Sequence, residues 1–96
     1  MARAIVADGE VAGNVGSWDG DGKRLLGYWV GREHWGRGIA TAAVAAFLEI
    51  DRTRPIHAFV AVTNVGSIRV LEKCGFARVD SRFADDGVEE RVYRLD

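Results

Sequence analysis

The sequence has little of what marks secreted, membrane-spanning or nucleic-acid-binding proteins. Its one cysteine, Cys74, excludes an internal disulfide and is typical of a reducing compartment. The longest apolar run, residues 39–48, is too short to span a bilayer, and the first residues lack the apolar core of a signal peptide. The 13 lysines and arginines are mixed with 14 aspartates and glutamates, so no basic stripe is present. These absences predict a cytoplasmic protein that binds neither membranes nor nucleic acid.

Metal ligands are scarce as well. His34 has no partner residue at the spacing of a metal site, and His57 falls in an apolar strand pattern, where a structural role is expected. Cys74 directly precedes a predicted helix end and is expected to be a small buried apolar residue, not a nucleophile. We therefore predict no metal site.

The size of the chain allows one hydrophobic core. It has 96 residues, of which 48% are hydrophobic, and it shows no repeat, linker or low-complexity segment. We expect a single domain over residues 1–96. The single proline, Pro55, marks the end of the longest helical pattern.

Turn signals divide the first third of the chain into three strands. The predicted strands cover residues 3–7, 11–18 and 25–30. Asp8-Gly9 is a two-residue hairpin signal, and DGDGK at residues 19–23 is a second turn. The three strands should therefore form an antiparallel meander.

A helix and a fourth strand follow. Apolar residues recur at helical spacing from residue 39 to about residue 52. The strand predicted at residues 56–62 is apolar on both faces, which is typical of a sheet centre. A strand, a helix and a strand in this order predict a crossover between parallel strands.

The last third of the chain predicts a second helix and two strands. Asn64 is a good N-cap for a helix over residues 65–74, and Gly75 suits the left-handed position after it. Strands are predicted at residues 77–83 and 89–95. The fold class is thus α/β, with a mixed sheet of about six strands and two helices.

The loop between the third strand and the first helix contains Gly36-Arg37-Gly38. A helix N-terminus carries unpaired N–H groups and attracts anions, and the glycines allow close approach of the backbone. Arg37 adds charge, and no acidic residue follows in the first turn. The pattern predicts a phosphate or pyrophosphate site, although a tight turn that happens to use glycines explains the loop about equally well.

Two common phosphate-binding motifs do not fit this loop. A dinucleotide-binding fold needs a third glycine where Thr41 stands, and an acidic residue after the next strand. A nucleotide P-loop needs Gly-Lys-Ser or Gly-Lys-Thr, which the chain lacks.

Two segments together resemble the GCN5-related N-acetyltransferase (GNAT) family, especially its branch that acetylates the N-termini of ribosomal proteins. They are GYWVGREHWGRGIATAAVAAFL and, after the next strand, NVGSIRVLEKCGF. The family's loop has Gln or Arg, two residues, Gly, one residue, then Gly or Ala. Here Trp35 takes the first position and Ala40 the last. Family members usually carry a further strand and two helices before residue 3, so the resemblance describes an N-terminally truncated form.

The resemblance implies an acetyl-CoA-dependent enzyme that acetylates a primary amine, either a protein N-terminus or a small molecule. The backbone of the third strand would pair with the pantetheine arm, which requires this strand and the next to splay apart. The backbone of the loop would hold the pyrophosphate, and Asn64 would contact the pantetheine. The implied acetyl-CoA-binding residues are Tyr28, Trp29, Val30, Trp35, Gly36, Arg37, Gly38, Ile39, Ala40 and Asn64.

The implied catalytic groups differ from those of many family members. Many relatives protonate the leaving thiolate with a tyrosine four residues before the Gly-Phe pair, but Leu71 occupies that position. Ser67, which the resemblance places near the thioester sulfur, is the substitute candidate. Glu33, with His34 beside it, is the candidate base.

Three hypotheses remain open. The first is the amine acetyltransferase, the second is a truncated, catalytically weak acyl-CoA-binding module, and the third is a nucleotide-binding regulatory domain. Because the missing elements would leave the first strand as an exposed edge, we expect a homodimer or a partner that covers it. Trp18 and Trp29 fit either a substrate cleft or the core.

Overall fold

The first three strands form the antiparallel meander that the turn signals predict. In the computed structural model, which describes residues 1–96, both hairpin turns are two-residue Asp-Gly turns with positive φ, 53° and 80° at Asp8-Gly9 and 52° and 70° at Asp21-Gly22. The strands are β1 (Ala2–Ala7), β2 (Glu10–Gly20), β3 (Lys23–Val30), β4 (Ile56–Ala61), β5 (Ala77–Phe83) and β6 (Glu89–Leu95). The helices are α1 (Ile39–Ile50) and α2 (Val65–Lys73), and Arg32–His34 forms a short 3₁₀ turn.

All six strands belong to one mixed sheet with the order β1-β2-β3-β4-β6-β5. The β3–β4 pair is parallel and is connected through α1, and the other pairs are antiparallel. The predicted fold class, the sheet of six strands and the two helices are confirmed. As predicted, β1 is an edge strand. No helix is long and apolar enough to cross a bilayer.

The hydrophobic core joins both helices to one face of the sheet. Its fully buried members include Val44 and Phe47 from α1, Leu71 from α2, and Ile56 and Tyr93 from the sheet. These positions follow the helical and alternating patterns of the sequence.

The tryptophans of the first strands are not part of this core. Trp18 is 50% exposed and Trp29 is 62% exposed. The aromatic ring of Trp18 lies against the backbone at Gly27, where an added Cβ would come within 2.8 Å of the ring. Core packing is therefore the wrong interpretation for both residues.

Strands β3 and β4 diverge after a short contact. They pair only at Arg24–Ile56 and Leu25–His57, whereas β4 pairs with β6 along its whole length. The remainder of β3 pairs only with β2, so β3 and β4 form the two sides of a wedge-shaped gap. The splay that the family resemblance requires is thus present.

Helix α2 has the predicted caps at both ends. The Ser67 amide donates to Asn64 Oδ1 at 3.1 Å, which is an N-cap bond. Gly75 has φ +93°, its amide donates to the Glu72 carbonyl, and the Phe76 amide donates to the Leu71 carbonyl at 3.0 Å. These two bonds form a Schellman motif.

Helix α1 ends two residues before the predicted limit, because Asp51 leaves the helical conformation and turns inward. Its carboxylate accepts hydrogen bonds from the Ser17 hydroxyl, from Arg24 Nε and from the Thr53 amide. Asp51 is 3% exposed. This buried carboxylate, which the sequence patterns did not indicate, fixes the C-terminus of α1 against β2 and β3.

Candidate functional site

A cavity of about 730 Å³ opens where β3 and β4 diverge. Its walls are the end of β3, the loop before α1, the first turn of α1, and one face of α2. All the predicted site residues except Glu33 and Arg37 line it: Tyr28, Trp29, Val30, Trp35, Gly36, Gly38, Ile39, Ala40, Asn64 and Ser67.

The N-terminus of α1 faces this cavity without a cap. The first helical hydrogen bond runs from the Ala42 amide to the Gly38 carbonyl, so the preceding amides of the helix have no backbone acceptor. Gly38 provides no capping side chain, and no acidic residue lies in the first turn. Gly36 and Gly38 have φ of +77° and +73°, and nothing lies within 4 Å of the position that a Cβ would take. This arrangement leaves N–H donors and open space for an anion.

Arg37 lies beside the cavity without lining it, and its Nη1 is 3.5 Å from Nδ1 of the cavity-lining His34. Its Nη2 lies 2.5 Å from Asp8 Oδ2, in the turn between β1 and β2. The charge that the sequence predicted for the loop is therefore used in an ion pair outside the cavity.

The positive charge of the cavity comes from α2 instead. Arg69 and Lys73 both line it, together with Gly66 and Val70 of the same helix face. No carboxylate lines the cavity. Sequence analysis did not select Arg69 and Lys73, although their spacing of four residues on the predicted helix 65–74 predicts a shared face.

Ser67 is paired with a tyrosine. The Tyr28 hydroxyl donates to Ser67 Oγ at 2.9 Å, and both residues line the cavity. Because the tyrosine proton occupies this bond, the proton of the Ser67 hydroxyl is free to point elsewhere. Burial raises the pKa of Tyr28, so the hydroxyl stays protonated at neutral pH. The sequence indicated only the backbone of Tyr28, and its side chain is a second proton-carrying group in the site.

The two candidate bases differ in position. The Glu33 side chain is 74% exposed, lies over Gly31 and does not reach the cavity. His34 has a side chain that is 4% exposed and lines the cavity. Its Nε2 lies 3.6 Å from Glu10 Oε1 and 3.9 Å from Glu33 Oε1. The structure thus places the His34 side chain in the wall of the cavity and the Glu33 side chain outside it.

Leu71, Cys74 and His57, which the sequence analysis also considered, do not line this cavity. Leu71 is in the core, as expected for a helix position without the family's tyrosine. Cys74 is half-buried, and burial raises the pKa of its thiol, which makes it a poor nucleophile. His57 is buried on β4. No cluster of three or more metal-ligating residues is present.

A model of the acetyltransferase (GNAT) domain matches residues 1–77. The chain belongs to this family. A probable N-acetyltransferase of Bacillus subtilis strain 168, YjcK, is 46% identical over 57 residues, which cover 54% of this chain and 31% of that protein. The family predicted from the two motifs is confirmed, while the ribosomal-protein branch stays a prediction.

Solved structures share the GNAT fold. A GNAT acetyltransferase from Bacillus anthracis superimposes with a TM-score of 0.80 at 20% identity, over 94% of this chain and 61% of that one. YncA of Salmonella typhimurium, a putative acetyltransferase solved with acetyl-CoA, gives 0.79 at 18% identity, over 93% and 60%. The aminoglycoside acetyltransferase AAC(6')-Ib, solved with coenzyme A, gives 0.76 at 25% identity, over 95% and 62%. The chain thus spans under two thirds of each of these GNAT proteins.

Proposed function

We propose that this chain binds acetyl-CoA in the cavity between β3 and α2 and carries the catalytic centre of an N-acetyltransferase that acts on a primary amine. One observation carries the proposal: the wedge between β3 and β4 opens directly onto the uncapped N-terminus of α1. The wedge offers an unpaired strand edge, and the helix offers unpaired amides. Acetyl-CoA needs both, because it joins an amide-containing arm to a pyrophosphate.

The pantetheine arm fits the β3 side of the wedge. Beyond Leu25, the edge of β3 that faces β4 has no strand partner. An amide chain can pair with such an edge as an added strand does. Asn64 Oδ1 is used by the helix cap, so the amide group of Asn64 has its Nδ2 donors left for the arm.

The pyrophosphate fits the loop from Trp35 to Ala40. The amides at the start of α1 lack acceptors, and the positive φ of Gly36 and Gly38 turns the loop backbone without placing a side chain there. A polyanion would be repelled by carboxylates, and none lines the cavity. YncA was solved with acetyl-CoA and AAC(6')-Ib with coenzyme A, which supports a ligand of this class for the present chain.

The reaction forms a bond between the amine nitrogen and the acetyl carbon and breaks the bond between that carbon and sulfur. The amine must lose one proton, and the thiolate gains one. The Tyr28–Ser67 pair holds two hydroxyl protons inside the cavity. Ser67 can donate its proton to the thiolate and take one from Tyr28, and the proton released by the amine then restores Tyr28 through solvent. We propose Ser67 as the acid and His34 as the base. The Glu33 carboxylate lies outside the cavity, 3.9 Å from His34 Nε2.

The weaker alternative, an acyl-CoA-binding module with little turnover, is favoured by one observation. Apart from the two cations Arg69 and Lys73, the only candidate base that lines the cavity is the buried His34. A site without an effective base would still bind acetyl-CoA and would transfer the acetyl group slowly.

Two measurements test the proposal. In calorimetric titrations, we expect binding of CoA and no comparable binding of ATP or NAD. With acetyl-CoA and a panel of primary amines and N-terminal peptides, we expect release of free thiol that depends on the amine. CoA binding without amine-dependent release of thiol would favour the acyl-CoA-binding module. A folded protein that does not bind CoA would refute both the acetyltransferase and the binding module.

A further inference from the structure

One face of α2 carries two cations that the chain leaves without partners. Arg69 and Lys73 line the cavity, and neither forms a salt bridge or a side-chain hydrogen bond. Arg24, Arg37 and Arg52, by contrast, are each held by a carboxylate. Two free cations, four residues apart on one helix, form a binding position for an anion of more than one charge.

The opposite wall of the cavity offers a binding position for one anion. The amides at the start of α1 face the cavity, and Arg37 is withdrawn to Asp8. The pyrophosphate can therefore be held by backbone groups, with no cation of the loop involved. The two exposed cations of α2 are available to a second anionic group, which coenzyme A has as the phosphate on its ribose 3′ oxygen.

We propose that Arg69 and Lys73 bind the 3′-phosphate of coenzyme A and thereby make the protein select coenzyme A over 3′-dephospho-coenzyme A. This inference rests on the proposed function, since it places a second group of the same ligand. A guanidinium can contact two phosphate oxygens at once, and an ammonium adds a mobile point charge. No carboxylate of the cavity wall competes for either cation.

The test is a set of calorimetric titrations with CoA and with 3′-dephospho-CoA at one fixed, low salt concentration. We expect the unaltered protein to bind CoA at least about tenfold more tightly than dephospho-CoA. In Arg69→Gln and Lys73→Gln, affinity for CoA should fall by about tenfold while affinity for dephospho-CoA changes by less than about twofold. The double variant should no longer distinguish the two ligands.

Arg52→Gln is the matched control, because it removes the same charge from an exposed position paired with Glu49 outside the cavity. It should leave both affinities unchanged. Arg69→Lys keeps the charge without the planar fork and should retain part of the preference. Circular dichroism confirms that each variant is folded.

Each other outcome is decisive. Equal affinity of the unaltered protein for both ligands overturns the inference and leaves the proposed function intact. Loss of affinity for both ligands in the glutamine variants also overturns it, because the cations would then serve the pyrophosphate. A folded protein that binds neither ligand overturns the proposed function and the inference together.

Discussion

The Ser17 hydroxyl on β2 lies 2.5 Å from Asp51 Oδ2 at the end of α1, and both side chains are buried. Arg24 Nε reaches the same oxygen at 3.0 Å, and the Thr53 amide donates to the other oxygen. The carboxylate therefore joins two strands to the helix whose other end faces the cavity.

Asp51→Asn should destabilise the protein by about 2–3 kcal/mol, below the ~3–5 kcal/mol of a fully buried broken pair because Arg24 is partly exposed. The amide removes the charge and leaves the guanidinium with only exposed Asp19 as an anionic partner. Urea unfolding measures the difference. Asp19→Asn is the control, and it should change the free energy of unfolding by less than about 0.5 kcal/mol. Equal effects of the two substitutions would show that Asp51 anchors nothing.

The same carboxylate makes the free energy of unfolding depend on pH. The Ser17 bond, supported by those from Thr53 and Arg24, holds the pKa of Asp51 well below its usual range. Because the unfolded chain binds this proton more readily, the stabilisation is complete above about pH 4 and is lost as the pH falls below it. The free energy of unfolding, measured by urea from pH 6 to pH 3, should fall more steeply in the unaltered protein than in Asp51→Asn. Parallel curves would contradict this.

Gly38→Asp should abolish tight CoA binding while the fold survives. The new carboxylate enters the open space before α1 and opposes the ligand's charge, and loss of two charge-assisted bonds of ~1.5–3 kcal/mol each gives a hundredfold or greater loss of affinity. Gly87→Asp is the matched control: Gly87 also has positive φ, +84°, and open space, and it lies outside the cavity. Calorimetry with melting curves separates binding from folding. If Gly38→Asp binds CoA as the parent does, the anion site is elsewhere.

The Tyr28–Ser67 pair can be tested by removing one hydroxyl at a time. If the pair delivers the proton to sulfur, Ser67→Ala and Tyr28→Phe should each lower kcat by ~10²–10⁴-fold with little change in the KM for acetyl-CoA. The exposed Ser81→Ala is a suitable control. An unchanged kcat in both variants would mean that the thiolate leaves without an acid. A change in KM alone would assign the pair to binding.

The exposed edge of the sheet predicts self-association. Val6 and Val11, on β1 and β2, are among the most exposed apolar side chains, and β1 has a partner on one side only. We expect a homodimer at micromolar concentration in sedimentation velocity runs. Val6→Lys should shift it towards the monomer, because an edge lysine opposes strand pairing. A well-folded monomer in the unaltered protein would contradict the prediction.

Local signals predicted most of the fold. The Asp-Gly turns, the Asn64 cap and Gly75 act through bonds between near neighbours, so the sequence indicates them directly. The family motifs also indicated the cavity wall, from Tyr28 to Ala40. The contacts that could not be predicted join residues that are far apart in the sequence. Tyr28 and Ser67 are 39 positions apart, and Ser17 and Asp51 are 34 positions apart. The contact of the Arg37 side chain could not be predicted either, because its partner, Asp8, lies 29 positions away in a turn.

The divergence of β3 and β4 divides the sheet into two hydrogen-bonded ladders, β1-β2-β3 and β4-β6-β5, that share two residue pairs. Backbone amides that face the wedge therefore have no ladder to protect them from exchange with solvent deuterium, unlike those inside each ladder. A ligand that pairs with the edge of β3 supplies the missing partner. Its binding would then be observed as slower amide exchange along residues 26–30, and would add to the stability of the centre of the sheet.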